Sequence, residues 1–465
     1  MFKKLRIKEF KAWEDTQEIT MAPITLFFGG NSSGKSSIGQ LLMMLKQTID
    51  SPDRKSPLYS GGQQTAVQLG SYNEMVNQRD SSKNISFEYT WDLPDDLKVK
   101  DPISSKVYHG DEISFNASVS FNEITRTVEL AGFNYDIYKE KKPSFSIGLK
   151  RNLNSKNDFV TEFSNYNLIR QKGRAWSIKE AVRFYGFPDE VVAYYQNADF
   201  VQELNLRHEK LFRSLYYLGP LRIKPSRLYP WSGVRHESVG FSGENTISAI
   251  LSSKGRRISL GYKKMTKPFE EIIALKLKEM GLIDDFIVKP ISQDRQEYEV
   301  KVRTKGSESW VDLTDVGFGI SQVLPVLVQC FYAPIGSVIL MEQPEIHLHP
   351  KAQSVLADVL IDVIRSRENG TDRNIQLIIE THSEHFLRRL QRRIAEDEID
   401  KEKVAAYFSD FSKNKPVLTP LLIDDYGNIK NWPEHFFGDE MGDITEQSKA
   451  AIKKRIKELK INENS

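Results

Sequence analysis

The chain is nearly without cysteine: among its 465 residues, Cys330 stands alone. One cysteine excludes an intramolecular disulfide and any cysteine-based zinc site. Set in Leu327-Val328-Gln329-Cys330-Phe331, it reads as a small buried hydrophobe. Net charge is nearly missing too, with 65 Lys and Arg against 63 Asp and Glu. Global charge therefore names no partner, although local basic patches stay open. No apolar run approaches the ~18 residues of a membrane span. Met1-Phe2-Lys3-Lys4 enters a strand pattern rather than a signal peptide. The expectation is a cytoplasmic protein with no membrane partner. Internal repeats, low-complexity tracts and long heptad runs are absent as well. The length allows two or three domains with a large core.

What is there begins with Gly29-Gly30-Asn31-Ser32-Ser33-Gly34-Lys35-Ser36, which fits G-x-x-x-x-G-K-[ST] at every position. Ile24-Thr25-Leu26-Phe27-Phe28 predicts a buried strand before it. The residues from Ser37 to Leu45 are apolar at helical spacing behind it. In such a strand–turn–helix, backbone N–H groups curl around a phosphate and the helix dipole favours negative charge. Lys35 is expected to reach the β- and γ-phosphates and Ser36 to hold Mg²⁺, with Ser37 next in the first turn. The expected ligand is a nucleoside triphosphate.

Around this loop the hydrophobic periodicity changes. Leu5-Arg6-Ile7-Lys8-Glu9-Phe10 alternates as a strand, and from about 80 to 150 a period of two predicts an antiparallel sheet. The polar stretch 152–174 predicts a loop or link, and helical spacing returns between about 177 and 215. Tyr216-Tyr217-Leu218 predicts a strand broken at Gly219-Pro220. A helix at 268–281 and strands at 286–303 follow. Strand and helix then alternate through 336–342, 352–366, 375–380, 384–395, 404–409 and 417–423, which argues a parallel sheet covered by helices.

Three further stretches carry chemistry. Val338-Ile339-Leu340-Met341-Glu342-Gln343-Pro344-Glu345 is a buried strand ending in carboxylates, the Walker B arrangement beside Mg²⁺. Leu377-Ile378-Ile379-Glu380-Thr381-His382-Ser383 is another apolar strand, ending in a histidine. Upstream, Gly317-Phe318-Gly319-Ile320-Ser321 forms a glycine-rich turn before an apolar helix. His347 and His349 hint at metal ligation but lack a third ligand of convincing spacing.

In this order the motifs resemble the ATP-binding-cassette (ABC) ATPases, above all the RecF-like and OLD-like (overcoming-lysogenization-defect) group. There the loop reads G-x-N-x-x-G-K-S, Walker B ends E-x-P-E-x-x-L-H-P and the switch histidine sits in T-H-S; residues 29–36, 342–350 and 381–383 match. Asp424 to Pro433 resembles a tail of unknown function found in one branch. The resemblance covers residues 1–50 and about 216–440, with no motif carried across 80–215. It implies an α/β fold: an ABC-type P-loop ATPase head with a mixed β-sheet covered by helices, plus an antiparallel β-rich and helical insertion. The implied divisions are 1–80 and 216–395 for the two parts of the head, 81–215 for the insertion and 396–465 for C-terminal strands and tail.

The same resemblance implies the roles. Gly29, Gly30, Asn31, Ser32, Ser33, Gly34, Lys35, Ser36 and Ser37 would bind ATP, with Mg²⁺ on Ser36 and Glu342. Gly319 and Ser321 would touch the γ-phosphate of a second subunit, so that ATP closes a homodimer or higher oligomer, and His382 would sense that phosphate. On the residues alone, Gly317 and Gly319 also read as turn glycines and His382 as a strand-end histidine. Among the catalytic candidates Glu342, Gln343, Glu345 and His382, the departure is Gln343, where the class has a glutamate that polarises water. An amide cannot accept the proton, and losing such a base costs about 10²–10⁴ in rate. Glu345 taking over, hydrolysis slow by design, or an engineered trap are the three readings. The branch resembling the C-terminal tail shares E-Q-P-E, which favours slow hydrolysis.

A Toprim nuclease, frequent after OLD-type ATPases, needs a glutamate and an Asp-x-Asp pair at strand ends, and no such set follows Ser383. Arg388, Arg389, Arg392 and Arg393 share one side of a helix, and Lys254, Arg256, Arg257, Lys263 and Lys264 cluster similarly. Both clusters leave DNA contact open, with a solvated face paired to nearby acids as the slightly favoured reading. Two functions remain: an ATP-gated sensor or scaffold controlling a separate effector, a nuclease or toxin, in bacterial anti-phage defence; or a RecF-like repair ATPase on DNA ends or gaps. The size of the 81–215 region favours a docking surface and hence the first.

Overall fold

A largely parallel sheet with apolar strands and an antiparallel sheet with alternating ones are the two largest of the four sheets among the described residues. The computed structural model describes residues 1–152, 158–173, 177–292, 295–304, 306–412, 415–433 and 445–454. Of the C-terminal tail expected within 396–465, residues 434–444 and 455–465 lie outside the described residues.

The central sheet runs Leu215–Leu218, Val338–Glu342, Gln376–Glu380, Ile24–Gly29, Val404–Ser412, Lys415–Pro420 in lateral order. Its first five strands are parallel and the last is antiparallel. Parallel strands are covered on both faces and so read as unbroken apolar runs. Here Ile24, Leu26, Phe28, Ile339, Met341, Leu377 and Ile379 point into one core, with helices Phe269–Glu279, Phe318–Tyr332, Pro350–Arg365 and Glu384–Ala395. Phe27, Val338, Leu340 and Ile378 point into the other. Cys330 is wholly buried in the first core, as its apolar setting implies.

The second core lies between that sheet and a long antiparallel sheet. Its lateral order is Trp13–Asp15, Phe2–Phe10, Ile85–Lys100, Val107–Asn122, Thr127–Lys139, Lys142–Arg151, Phe159–Ser164, with Ile19–Thr20 also on Phe2–Phe10. Alternation does its work on this sheet: Ile85, Phe87, Tyr89 and Trp91 are buried while Ser86 and Glu88 are not. The helices Lys35–Asp50 and Phe200–Arg213 pack against each other in this core. Phe2–Phe10 pairs with Ile85–Lys100, so the chain's first strand belongs to this sheet and not to the one that carries the phosphate loop. The fold class is thus a mixed α/β head with an antiparallel β-rich and helical part.

Two local expectations fail. The stretch expected as a link, 152–174, contains the edge strand Phe159–Ser164. Only Phe159 of it is buried, so an exposed edge strand leaves little hydrophobic alternation to read. The helical spacing of Ala181, Val182 and Phe184 does not give a helix. Val182 and Gly186 instead exchange backbone hydrogen bonds in a tight turn, and the longer helix starts only at Phe200. Pro188, two residues past that turn, blocks helix continuation through it. Among the described residues, no helix is long and apolar enough to cross a membrane.

Candidate nucleotide site

The loop leaves the C-terminal end of Ile24–Gly29 and turns into helix Lys35–Asp50. Its conformation explains its glycines. Gly34 caps the helix at φ 93°, a left-handed geometry, with Trp13 beside the space a Cβ would take. No side chain caps this helix. Ser37 N–H donates to Gly34 O at 3.1 Å, and at this helix start the dipole favours an anion. Trp13 Nε1 donates to Gly34 O at 2.9 Å, and Ser409 Oγ donates to Ser33 O at 2.6 Å. The loop is thus held from the antiparallel sheet and from the adjacent strand of its own sheet.

A cavity of about 510 Å³ opens over this loop, a size suited to a small-molecule ligand. Asn31, Ser32, Ser33, Gly34, Lys35, Ser36 and Ser37 form its floor, and Gln343, Glu380 and His382 one wall. Lys11, Glu74, Gln78 and Arg79 also line it. Lys35 Nζ donates to Gly29 O at 3.0 Å and Gly30 O at 2.7 Å. Burial, opposed by the Glu380 charge, draws its pKa below the usual lysine value.

The carboxylates gather at the sheet edge. Glu342 and Glu380 are register partners on adjacent parallel strands. Tyr217 Oη donates to Glu342 Oε1 at 2.9 Å, whereas Ser36 Oγ donates to Glu380 Oε1 at 3.0 Å. Burial first, then the Glu380 charge, pushes the Glu342 carboxyl up to about 7. Burial likewise raises Glu345 and Glu380. The His382 backbone N–H donates to Glu345 Oε1 at 2.8 Å, so the glutamate fixes the backbone there. Gln343 has left-handed φ 45° and its N–H donates to Glu380 O at 2.8 Å. Buried Arg222 donates to Glu342 O at 3.1 Å and reaches Gln343 O at 3.4 Å. Such non-glycine backbone strain persists only where the surroundings enforce it.

Three buried oxygens here, Ser33 Oγ, Glu345 Oε2 and Glu380 Oε2, have no hydrogen-bond partner among the described residues. Unpaired buried polar atoms are costly and call for a ligand, ion or water. With a serine hydroxyl and paired carboxylates, the donor set fits a hard divalent cation such as Mg²⁺.

The sequence-derived candidates do not all converge. Gly29, Gly30, Glu342 and Glu345 are not part of the cavity lining, although the Gly29 and Gly30 carbonyls accept from Lys35. Gly319 and Ser321 are not part of its lining. Ser321 is buried with Oγ donating to Phe318 O at 2.9 Å, and Gly319 packs against His347 O. His349 caps helix Pro350–Arg365, and no group of three metal-ligating side chains occurs among the described residues. Arg388 pairs with Glu384, Arg389 and Arg393 with Asp358, and Arg392 with Glu396. Arg256 pairs with Glu368. Lys264 lies 4.0 Å from Asp362, whereas Arg257 donates to Thr266 O and Lys263 sits over the Tyr262 ring, so acids pair the four arginines of the first cluster and only part of the second. Sequence reasoning missed Glu380, Tyr217, Arg222, Trp13, Ser409 and the lining residues Lys11, Glu74, Gln78 and Arg79. Glu380 alone had a signal, as a carboxylate closing an apolar strand.

Among solved structures, the SMC head domain from Thermotoga maritima is 12% identical over 91% of this chain and 99% of its own, at TM-score 0.40. An Smc head domain from Pyrococcus furiosus, with an extended coiled coil and bound to the C-terminal domain of ScpA, is 11% identical over 90% and 96%, at 0.41. No curated protein matches. A family of unknown function, DUF3696, matches residues 399–447. Residues 24–388, more than half of the chain, match the family described as "AAA domain, putative AbiEii toxin, Type IV TA system", and the chain belongs to that AAA-domain family.

Proposed function

We propose that this chain is an ABC-type ATPase that binds ATP with Mg²⁺, hydrolyses it slowly and dimerises around it. The observation that carries this reading is the cavity at an uncapped helix start, with Lys35 and Ser36 at its floor and Gln343 in its wall. Backbone N–H groups of the loop and Lys35 would hold the β- and γ-phosphates, displacing the Gly29 and Gly30 carbonyls from the ammonium. Ser36 and the carboxylates behind it would hold Mg²⁺, which supplies charge neutralisation at the phosphates. Gln343 would orient water without accepting its proton, which makes turnover slow. Ser321 and Gly319, outside the cavity of their own chain, are assigned to the ATP of a second copy, and His382 to γ-phosphate sensing.

In this reading ATP acts as a clamp, and the dimer is a sensor or scaffold for a separate effector in bacterial anti-phage defence, in line with the toxin–antitoxin description of the family. The finer OLD-like assignment belongs to this proposal, as does the cytoplasmic location. Light scattering with and without Mg-ATP tests it: the expected result is an ATP-dependent dimer with slow turnover, and a monomer at saturating ATP refutes the clamp. Strong, salt-dependent DNA binding that stimulates hydrolysis would instead select the repair ATPase.

A further inference from the structure

We propose that Glu380 is a cation-side carboxylate of this site, acting with Ser36 to hold the divalent ion that accompanies the triphosphate. The inference rests on the ATP-binding reading and deepens it.

The argument starts from position. Gln376–Glu380 lies between the phosphate-loop strand and the Walker B strand, with Glu380 in register with Phe27 on one side and Glu342 on the other. Its carboxylate is therefore the acidic group brought next to the loop's helix. The hydrogen bond from Ser36 Oγ to Glu380 Oε1, at 3.0 Å, has a directional consequence. A hydroxyl that gives its proton to a carboxylate turns its lone pairs elsewhere, and Ser36 shares the cavity lining with Glu380.

The second observation is independent of that bond. Glu380 is 8% exposed, and its Oε2 is buried without a hydrogen-bond partner among the described residues, although the residue lines the cavity. An unpaired buried carboxylate oxygen beside a serine hydroxyl and the phosphate pocket matches what Mg²⁺ selects. That ion takes one or two carboxylates together with substrate phosphates rather than an all-protein cage. Glu342 differs on both points: Tyr217 occupies its Oε1, and it does not line the cavity.

The test measures affinity of the full chain for a fluorescent ATP analogue, in Mg²⁺ and in EDTA, with unfolding curves as a fold control. Wild type is expected to bind more tightly with Mg²⁺. Glu380→Gln keeps the shape and can still accept from Ser36, but it should reduce the Mg²⁺ enhancement by about 10-fold or more. Its affinity for metal-free ATP should stay or rise, because a negative charge near the phosphates is gone. Ser36→Ala should lose the enhancement too, and Glu380→Gln should add little to it, since coupled partners are non-additive. The Mn²⁺ spectrum of the ATP complex, read by electron paramagnetic resonance, should change in Glu380→Gln. Full Mg²⁺ enhancement and an unaltered Mn²⁺ spectrum in that variant overturn the assignment while leaving ATP binding intact. Wild type that binds ATP in neither buffer overturns both.

Discussion

The buried polar side chains around His208 and those around Glu380 are finished to different degrees. In the core behind the antiparallel sheet, His208 is wholly buried between Tyr89 Oη, 2.7 Å from Nε2, and Tyr135 Oη, 2.9 Å from Nδ1. Tyr135 Oη donates to Tyr185 O at 2.9 Å. One neutral tautomer satisfies the set: Nδ1–H donates to Tyr135 and Nε2 accepts from Tyr89. At the C-terminal ends of two interior strands of the central sheet, by contrast, Glu342 and Glu380 lie side by side, and oxygens of Glu345, Glu380 and Ser33 are left over. A complete network specifies a core; an incomplete one in a cavity is stability held back for a ligand.

The largest expected effect belongs to the incomplete cluster. Gln343→Glu should raise ATP turnover by about 10²–10⁴, measured by phosphate release at saturating Mg-ATP. An unchanged rate would mean that the glutamine is not the brake. In the complete cluster, Tyr135→Phe removes the Tyr185 donor and the His208 acceptor and should cost about 1–3 kcal/mol in urea unfolding. ATP affinity should not move; if it does, the two clusters are not separate.

Substitution in the incomplete cluster should work the other way. Glu342→Gln removes one of two adjacent carboxylates and keeps a partner for Tyr217, so the ligand-free protein should gain about 1–2 kcal/mol at pH 8. A loss of stability in thermal unfolding would show that the carboxylates are satisfied after all. The smallest effect is one of pH. Burial holds His208 well below the ordinary histidine value. The unfolded chain takes up this proton below pH ~6.5 and the folded chain does not, so stability falls as pH falls through that value. The loss is about 0.8 kcal/mol at pH 6. Ring carbon shifts by NMR should report a neutral His208 there.

How much of this was legible in the sequence follows from the range of the signals. The phosphate loop and Walker B strand are contiguous, and the unbroken apolar runs of a doubly covered sheet announced the parallel strands. Long alternating strands from Ile85 onward were equally readable. Glu380 stood in plain view after Ile379, yet its meaning depends on strand order, since only the lateral neighbours Phe27 and Glu342 place it beside Ser36. Trp13 and Ser409 reach the loop from far along the chain, and no local pattern encodes such contacts. Phe159–Ser164 was hidden because an exposed edge strand has little to bury.

The space that Gly29 leaves empty has a mechanical side. A Cβ there would lie 2.1 Å from Ser409 O, and Ser409 Oγ already grips Ser33 O across 376 residues of sequence. The phosphate loop and the strand Val404–Ser412 are therefore a single joint, and what strains one is felt in the other. A side chain at position 29 would act as a wedge between the loop and the strand Val404–Ser412 before any nucleotide arrived.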